Sequence, residues 1–225
     1  MPMKDKKEIN LPEIESWEKN DLFEAIDHGI LVSNLAVLLS KELGMDDDYC
    51  YMMAQAGMVH DVGKLKLGKY LYGRARDSLV IEEMKYVRMH PTIGLDILKN
   101  YGYQDIILEA VYHHHENYDG SGYPDNLAGD SIPYGARILR TCDVFAALVS
   151  QRRYRSAFDL DTAMELMIEE VKNFDMQIYL AFVRVVNSDK FSKVQQFIDS
   201  INSKNYSWRE LDSNKYENEA FSSIF

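Results

Sequence analysis

Residues 113–124, which read HHHENYDGSGYP, are the most informative stretch of the chain. Three consecutive histidines stand at the end of a segment with helical apolar spacing, which predicts a helix over about 104–116. The residues that follow, as far as Pro133, are dense in Gly, Pro, Asn and Asp. Such a composition predicts a loop, and long ordered loops between helices are often functional. The stretch therefore predicts a helix end that brings imidazole groups to the edge of a functional loop.

Apolar residues recur at helical spacing on both sides of this stretch. Leu22, Ile26 and Ile30 begin the apolar face of a first helix, which Gly44 is predicted to end. No segment shows the alternation typical of a strand, so the predicted class is all-α. Further helices are predicted over about 46–60, 80–89, 91–100, 133–150, 161–173, 175–187 and 189–202, with a loop over 62–77.

The composition is that of an acidic globular protein. The chain has 225 residues, of which 46% are hydrophobic, and its formal net charge is −11. This charge argues against binding to polymeric nucleic acid or to an anionic membrane, both of which need a cationic surface. No run approaches 18 apolar residues, so no transmembrane helix is expected, and the N-terminus lacks a secretory pattern. Cys50 and Cys142 are predicted to be buried thiols of a cytoplasmic protein.

All six histidines lie within the first 115 residues, and several stand at predicted helix ends. His60 precedes Asp61 at the end of an apolar helix, and His90 precedes Pro91 at a helix boundary. A single buried histidine is more often a core residue than a ligand, and an HD pair alone is weak evidence. The whole set is more informative, because imidazole and carboxylate groups form the N/O shell that suits iron, manganese or zinc.

Over about residues 20–187 the chain resembles the HD-GYP phosphodiesterases, a branch of the HD phosphohydrolases. The string HHExxDGSGYP at 114–124 is very specific, whereas the HD pair alone is not. The resemblance implies an all-α, multi-helix HD-type bundle with a metal centre in its core. It also implies metal-dependent hydrolysis of a cyclic dinucleotide, usually cyclic di-GMP, with a metal-bridging hydroxide as nucleophile. The residues that carry the match are His28, His60-Asp61-Val62-Gly63-Lys64, His90-Pro91, 114–124, Ile132-Pro133, Ala136-Arg137-Ile138, Asp143-Val144-Phe145 and Arg152-Arg153-Tyr154-Arg155.

The same resemblance implies two or three divalent metal ions, with Fe or Mn expected, and assigns their ligands. Some members hold a third ion through a glutamate one helical turn before the first histidine, and Glu24 stands four residues before His28. The alternative for Glu24 is a solvated Glu–His pair. His113 matches no ligand position and is predicted to be structural. The implied ligands are His28, His60, Asp61 and Asp143 for the first ion, and the bridging Asp61 with His90, His114 and His115 for the second.

The resemblance also implies which residues act on the substrate. Lys64 is implied to be catalytic together with Asp61 and to contact the substrate; alone, it would be a surface lysine. Arg152 and Arg155 are implied to contact the substrate phosphates, which suits the planar donor fork of arginine. The alternative for these arginines is a solvated basic helix end. Tyr123 is either a substrate contact or a packing residue of the loop, and both interpretations remain open.

Two departures from the family pattern bear on activity and substrate choice. Ala146 stands where the family usually has a second Asp, one helical turn after Asp143, so a carboxylate beside the ligands is predicted to be missing. The segment after Lys64 differs from the usual Gly-Ile-Pro-Asp run and is followed by Arg74 and Arg76. These added cations either bind phosphate or mark a changed substrate.

The predicted organisation is an N-terminal arm over 1–19, an HD-GYP-like catalytic domain over 20–187 and a C-terminal helix and tail over 188–225. The favoured hypothesis is a cyclic dinucleotide phosphodiesterase. The second is a binding or interaction module that retains metal but has little or no activity, and it would bind a protein partner or a second copy. The third is a phosphohydrolase of another nucleotide.

Overall fold

Helix α1 (Lys19–Glu42) forms the centre of the molecule, and most other helices pack around it. The computed structural model describes residues 19–67, 85–152 and 155–203, with side chains from residue 22 onward. Leu31, Leu35 and Leu39 are fully buried, and their spacing produces one apolar face on α1. The other helices in the described ranges are α2 (Asp47–Val59), α3 (His90–Asn100), α4 (Asp105–His113), α5 (Tyr134–Val149), α6 (Leu160–Glu169), α7 (Met176–Val186) and α8 (Ser192–Asn202).

Helix α1 contacts α2, α5, α7 and α8, which makes it a core helix of the bundle. Its stretch Leu22–Glu42 is nevertheless long and apolar enough to cross a membrane by length and composition alone. The expectation that no transmembrane helix is present rested on the lack of an unbroken apolar run, whereas this stretch meets a criterion of mean hydropathy although polar residues interrupt it; that expectation stays a prediction. One such helix is weak evidence for a membrane span, since a core helix passes the same test.

Helix α5 carries the aromatic centre of the core. The ring of Phe145 makes edge contacts with Phe182 on α7 and with Phe191, at centroid distances of 5.0 and 6.1 Å. Val194 and Ile198 on α8 are buried in the same cluster. Helix α8 therefore packs on the core of the predicted catalytic domain, and the domain boundaries at 19/20 and 187/188 stay predictions.

The all-α prediction is confirmed, because the described residues contain no β-pairing beyond a single bridge between Arg152 and Arg155. Two local predictions were wrong. Residues Val62–Leu67 form a 3₁₀ helix where a loop was predicted, and α4 ends at His113 rather than near Glu116. Residues 1–18, 68–84, 153–154 and 204–225 lie outside the described residues. Nearly all of the predicted arm, the end of the tail, Arg74 and Arg76, and the first half of the helix predicted over 80–89 therefore lie outside them as well.

Arg137 ties the loop after α4 to the rest of the bundle. Its Nη1 group donates to Asp130 in the loop at 2.8 Å and to Asp175 at 2.7 Å. Asp175 in turn caps α7, because its Oδ1 accepts from the backbone N–H of Gln177 at 2.9 Å. The loop is thus fixed against both α5 and α7, and this holds its other end beside the histidines.

Candidate metal centre

Five segments of the chain end or pass at one point in the bundle, and each contributes imidazole or carboxylate groups there. The groups come from the middle of α1, the end of α2, the first residue of α3, the turn after α4 and the middle of α5. Their ligand atoms form two clusters, and the atoms of each cluster lie within 4.8 Å of one another. One cluster contains His28, His60 and Asp143, and the other contains Asp61, His90, His114 and His115.

The two oxygens of Asp61 face different clusters. Oδ2 lies 3.4 Å from Nε2 of His60 and 4.0 Å from Nε2 of His28. Oδ1 lies 3.2 Å from Nε2 of His90 and 3.9 Å from Nε2 of His114. A carboxylate placed in this way can give one oxygen to each of two cations, which is the bridging position predicted for Asp61.

Three of the histidines are oriented by the backbone one turn before them. The Nδ1–H groups of His60, His90 and His114 donate to the carbonyl oxygens of Gly57 at 2.8 Å, Val87 at 2.6 Å and Val111 at 2.6 Å, respectively. A hydrogen bond of this kind leaves the lone pair on Nε2, the atom that points into the cluster. The local helix geometry therefore prepares these three side chains as ligands.

His28 is held differently, by side chains on α5 and just beyond it. Its Nε2 lies 2.9 Å from Oδ1 of Asp143, and its Nδ1 lies 3.4 Å from Nη2 of Arg152. Asp143 stands 115 positions away in sequence, so this pairing depends on the packing of α1 against α5.

Unpaired acceptors at the meeting point indicate that a cation fits there. Within the described part of the chain, Nε2 of His60 and Oδ1 of Asp61 are buried and make no hydrogen bond. Buried polar atoms without partners are costly, and native proteins rarely leave them so. Lone pairs converging from imidazole and carboxylate groups match the donors that divalent iron, manganese or zinc takes.

The pKa values also favour metal-binding forms for most of these groups. Burial and the neighbouring His115 hold the pKa of His114 well below its usual range, and burial lowers the pKa of His115 to about 3. Burial alone would raise the pKa of Asp61, but Lys64 and His60 outweigh it and lower that pKa strongly. The imidazoles of His114 and His115 are therefore neutral and the carboxylate of Asp61 ionised near neutral pH. His60 differs: burial acts to lower its pKa, but Asp61 and Asp143 together outweigh burial and raise that pKa.

Glu24 lies outside both clusters. It is half-buried one turn before His28 and lines a small cavity of about 40 Å³ together with Asp27 and Arg152. Burial and the charge of Glu24 raise the pKa of Asp27 to about 6. The prediction that Glu24 holds a third ion stays a prediction.

The loop after α4 presses Tyr123 against the second cluster. The ring of Tyr123 stacks on the imidazole of His115, with centroids 4.8 Å apart. The backbone N–H of Tyr123 donates to the carbonyl oxygen of His115 at 3.1 Å. A Cβ on Gly122 would overlap the backbone nitrogen of Asn117, so only glycine fits there. Tyr123 thus both packs the loop and borders the site, and contact with a substrate stays a prediction.

Glu116 has a role that sequence reasoning missed. Its side chain is buried, and its two oxygens accept the backbone N–H groups of Asp125 at 2.7 Å and Leu127 at 3.1 Å. His113 stands beside it, with Nδ1 3.8 Å from Oε1 of Glu116, and is in neither metal cluster. Glu116 organises the loop rather than a metal, and no signal in the sequence identified the two N–H groups that it binds.

The three positively charged side chains that were predicted to act on the substrate lie in different positions. Nζ of Lys64 lies 2.5 Å from Oδ2 of Asp61, at the junction of the two clusters. Arg152 reaches His28, as described above. Arg155 instead donates to the carbonyl oxygens of Ala147 and Leu148 at the end of α5. The structure therefore places Arg155 as a helix cap, and its contact with a substrate stays a prediction.

Ala146 is fully buried in the hydrophobic cluster on α5. The methyl group there packs among apolar side chains, and the effect of the missing carboxylate stays a prediction.

Comparisons with known proteins agree with this geometry. A model of the HD domain family matches residues 8–178. The cyclic di-GMP phosphodiesterase response regulator RpfG of Xanthomonas campestris is 35% identical over 156 residues, covering 68% of this chain and 41% of the relative. The 3'3'-cGAMP-specific phosphodiesterase 1 of Vibrio cholerae is 33% identical over 169 residues, covering 73% and 38%. The chain thus spans about two fifths of the length of these relatives.

Solved structures share the fold. The HDG"Y"P protein Bd1817 from Bdellovibrio bacteriovorus has a TM-score of 0.59 at 19% identity and covers 73% of this chain and 53% of its own. The HD domain of the L. monocytogenes phosphodiesterase PgpH in complex with cyclic-di-AMP has a TM-score of 0.55 at 15% identity, covering 84% and 98%. Because the family model covers most of the sequence, the chain belongs to the HD domain family, and the HD-GYP resemblance of its motifs is confirmed.

Proposed function

We propose that this protein is a metal-dependent phosphodiesterase that hydrolyses a cyclic dinucleotide, with cyclic di-GMP as the first candidate. The observation that carries the proposal is the placement of Asp61, whose two oxygens face two separate clusters of buried histidines. The relatives support the substrate class, since one is named a cyclic di-GMP phosphodiesterase and another a cGAMP-specific phosphodiesterase.

The chemistry needs the donor set that the clusters offer. Two divalent ions, when bound, lower the pKa of a water molecule and offset the charge of a phosphodiester. Asp61 and Asp143 hold two negative charges among the imidazoles, which suits the binding of cations there. We propose two or three ions, iron or manganese, with Glu24 as the further ligand if a third is present.

The protein's own cations bind and orient the substrate. The ammonium group of Lys64 lies at the junction of the clusters. The Lys64 side chain is 28% exposed, so this group can donate to a phosphate oxygen there. Arg152 lies on the His28 side and can donate to the same anion from another direction. Tyr123 stacks on His115 and borders the second cluster.

We also propose that residues 20–187, approximately, form the catalytic unit, and that this unit acts in the cytoplasm on a soluble nucleotide. An inactive, metal-holding module remains the second candidate, and the fully buried Ala146 in place of an acid is the observation that favours it.

The test is hydrolysis of cyclic di-GMP by protein prepared anaerobically with iron or manganese. 3'3'-cGAMP and cyclic di-AMP would be tested in parallel, with products resolved by chromatography and metal content measured. Asp61→Ala is expected to lower turnover by more than about 100-fold, because it removes a ligand of both clusters. His114→Asn should lose metal, whereas the matched variant His113→Asn should keep it. Wild-type protein that holds metal but cleaves none of the three would favour the binding module.

A further inference from the structure

Two arginines, Arg88 and Arg140, lie near Tyr123 on the side of the metal centre that faces the loop after α4. Neither has a part in the proposed reaction so far. Cζ of Arg88 lies 5.3 Å from the centroid of the Tyr123 ring, which itself stacks on His115. Arg140 is half-buried on α5 and donates from Nε to Oδ1 of Asn117 in the loop at 3.0 Å. A patch of positive charge therefore lies beside the second cluster.

Arg140 faces the metal centre because of its register on α5. It stands three residues before Asp143, so the two side chains share one face of the helix and are about 4.5 Å apart along its axis. Burial lowers the pKa of Arg140, while the charge of Asp143 opposes this effect. A guanidinium group keeps its proton in such surroundings, so its charge is permanent.

A role as a loop anchor does not account for the whole guanidinium group. The contact with Asn117 uses one of five N–H donors. Among the described residues this is the one hydrogen bond that Arg140 makes, and its amino groups are not among the buried polar atoms that lack partners. The contact with Asn117 thus leaves both amino groups unused, and these are the donors that an anion entering the site would bind.

Arg140 lies on a different side of the metal centre from the other positively charged side chains. Lys64 and Arg152 lie at the junction of the clusters and at the His28 side, whereas Arg140 lies at the loop side. A cyclic dinucleotide carries two phosphodiester groups on opposite sides of its ring, and one is cleaved at a time. The second group remains anionic and needs a separate partner.

Resting on the proposed function, we propose that Arg140, assisted by Arg88, binds the phosphate of the cyclic dinucleotide that is not being cleaved. Arginine suits this position because its two amino groups can bind two phosphate oxygens together. The residue would thereby favour cyclic dinucleotides over phosphodiesters that have a single phosphate.

The test compares cyclic di-GMP with bis(4-nitrophenyl) phosphate, which has one phosphate. Arg140→Gln is expected to raise KM for cyclic di-GMP about 10- to 100-fold, as the loss of a charge-assisted hydrogen bond does, with kcat changed far less. The loss of kcat/KM on bis(4-nitrophenyl) phosphate should be at least about 10-fold smaller. Arg140→Lys should recover part of the loss on cyclic di-GMP, and metal content should stay at the wild-type value.

Asn117→Ala is the matched control, because it removes the loop partner of Arg140 and keeps the charge. If Arg140 only fixed the loop, both variants would lower kcat/KM equally on both substrates, and this result would overturn the proposal. An unchanged KM of Arg140→Gln for cyclic di-GMP would overturn it as well.

A measurement of cyclic di-GMP binding distinguishes a failure of the Arg140 proposal from a failure of the proposed function. If the wild-type protein cleaves neither substrate, the proposed function fails, and Kd for cyclic di-GMP, measured by calorimetry on metal-loaded protein, becomes the criterion. A Kd raised at least about 10-fold in Arg140→Gln would support the role of Arg140. An equal Kd, or no binding by the wild type, would overturn it.

Discussion

At the scale of single residues, Glu116 follows two histidines of the candidate metal centre but organises the loop instead. The chain turns at His114 and His115, so the Glu116 carboxylate points back over the loop and binds the N–H groups of Asp125 and Leu127. These donors come 9 and 11 positions later in the sequence, in a segment without regular structure of its own. The carboxylate thus supplies the acceptors that a helix or sheet would otherwise provide.

Glu116→Ala is expected to destabilise the metal-free protein by about 2–4 kcal/mol, because it leaves two part-buried N–H groups without acceptors. Glu116→Gln should cost less, since its amide oxygen still accepts one of the two bonds. Urea denaturation of the three proteins would measure this order. Equal midpoints for Glu116→Ala and the wild type would show that the loop does not depend on Glu116.

At the scale of elements, the 3₁₀ helix over Val62–Leu67 and α3 make an unusually close contact. A Cβ on Gly63 would overlap the carbonyl oxygen of His90 and lie 2.8 Å from the nitrogen of Gly94. Both neighbours are backbone atoms, so no side chain can move aside. This approach brings Lys64 and His90 to the same carboxylate, that of Asp61.

Gly63→Ala is therefore expected to separate the two elements, to lower stability by about 1–3 kcal/mol or more and to weaken metal binding. Gly94→Ala is the matched control on α3, because its Cβ would meet its nearest atoms at 3.6 Å, an ordinary contact. Alanine in this helix interior should be neutral or stabilising by up to about 1 kcal/mol. Thermal denaturation and metal content would be compared, and similar values for the two variants would contradict the close-contact argument.

At the scale of the whole molecule, the metal clusters connect distant parts of the chain. The first joins α1, the end of α2 and α5, while the second joins residues beside α2, α3 and α4. Ions bound there would hold five helices together, and they would bind the folded chain far better than the unfolded one. Metal binding should therefore add to global stability by linkage.

Saturation with Mn²⁺ at about 100 times Kd should stabilise the protein by about 2.7 kcal/mol, which corresponds to a rise in Tm of about 5–11 °C for a chain of this size. A chelator should reverse the rise, and Asp61→Ala should reduce it to near zero. Differential scanning calorimetry would measure these shifts. An undiminished rise in Asp61→Ala would mean that the ions bind to other acidic groups.

The sequence by itself determined the all-α class and predicted the imidazole and carboxylate groups that the structure brings together in the two clusters. Helical spacing of apolar residues and helix-stop residues are local signals, and the HD and HHExxDGSGYP strings are contiguous. Only the tertiary structure decided which oxygen of Asp61 faces which cluster, that Glu116 holds the loop, and that Arg155 caps α5. Those facts depend on side-chain direction and on contacts between segments distant in sequence, such as His28 with Asp143, which the packing of whole helices fixes.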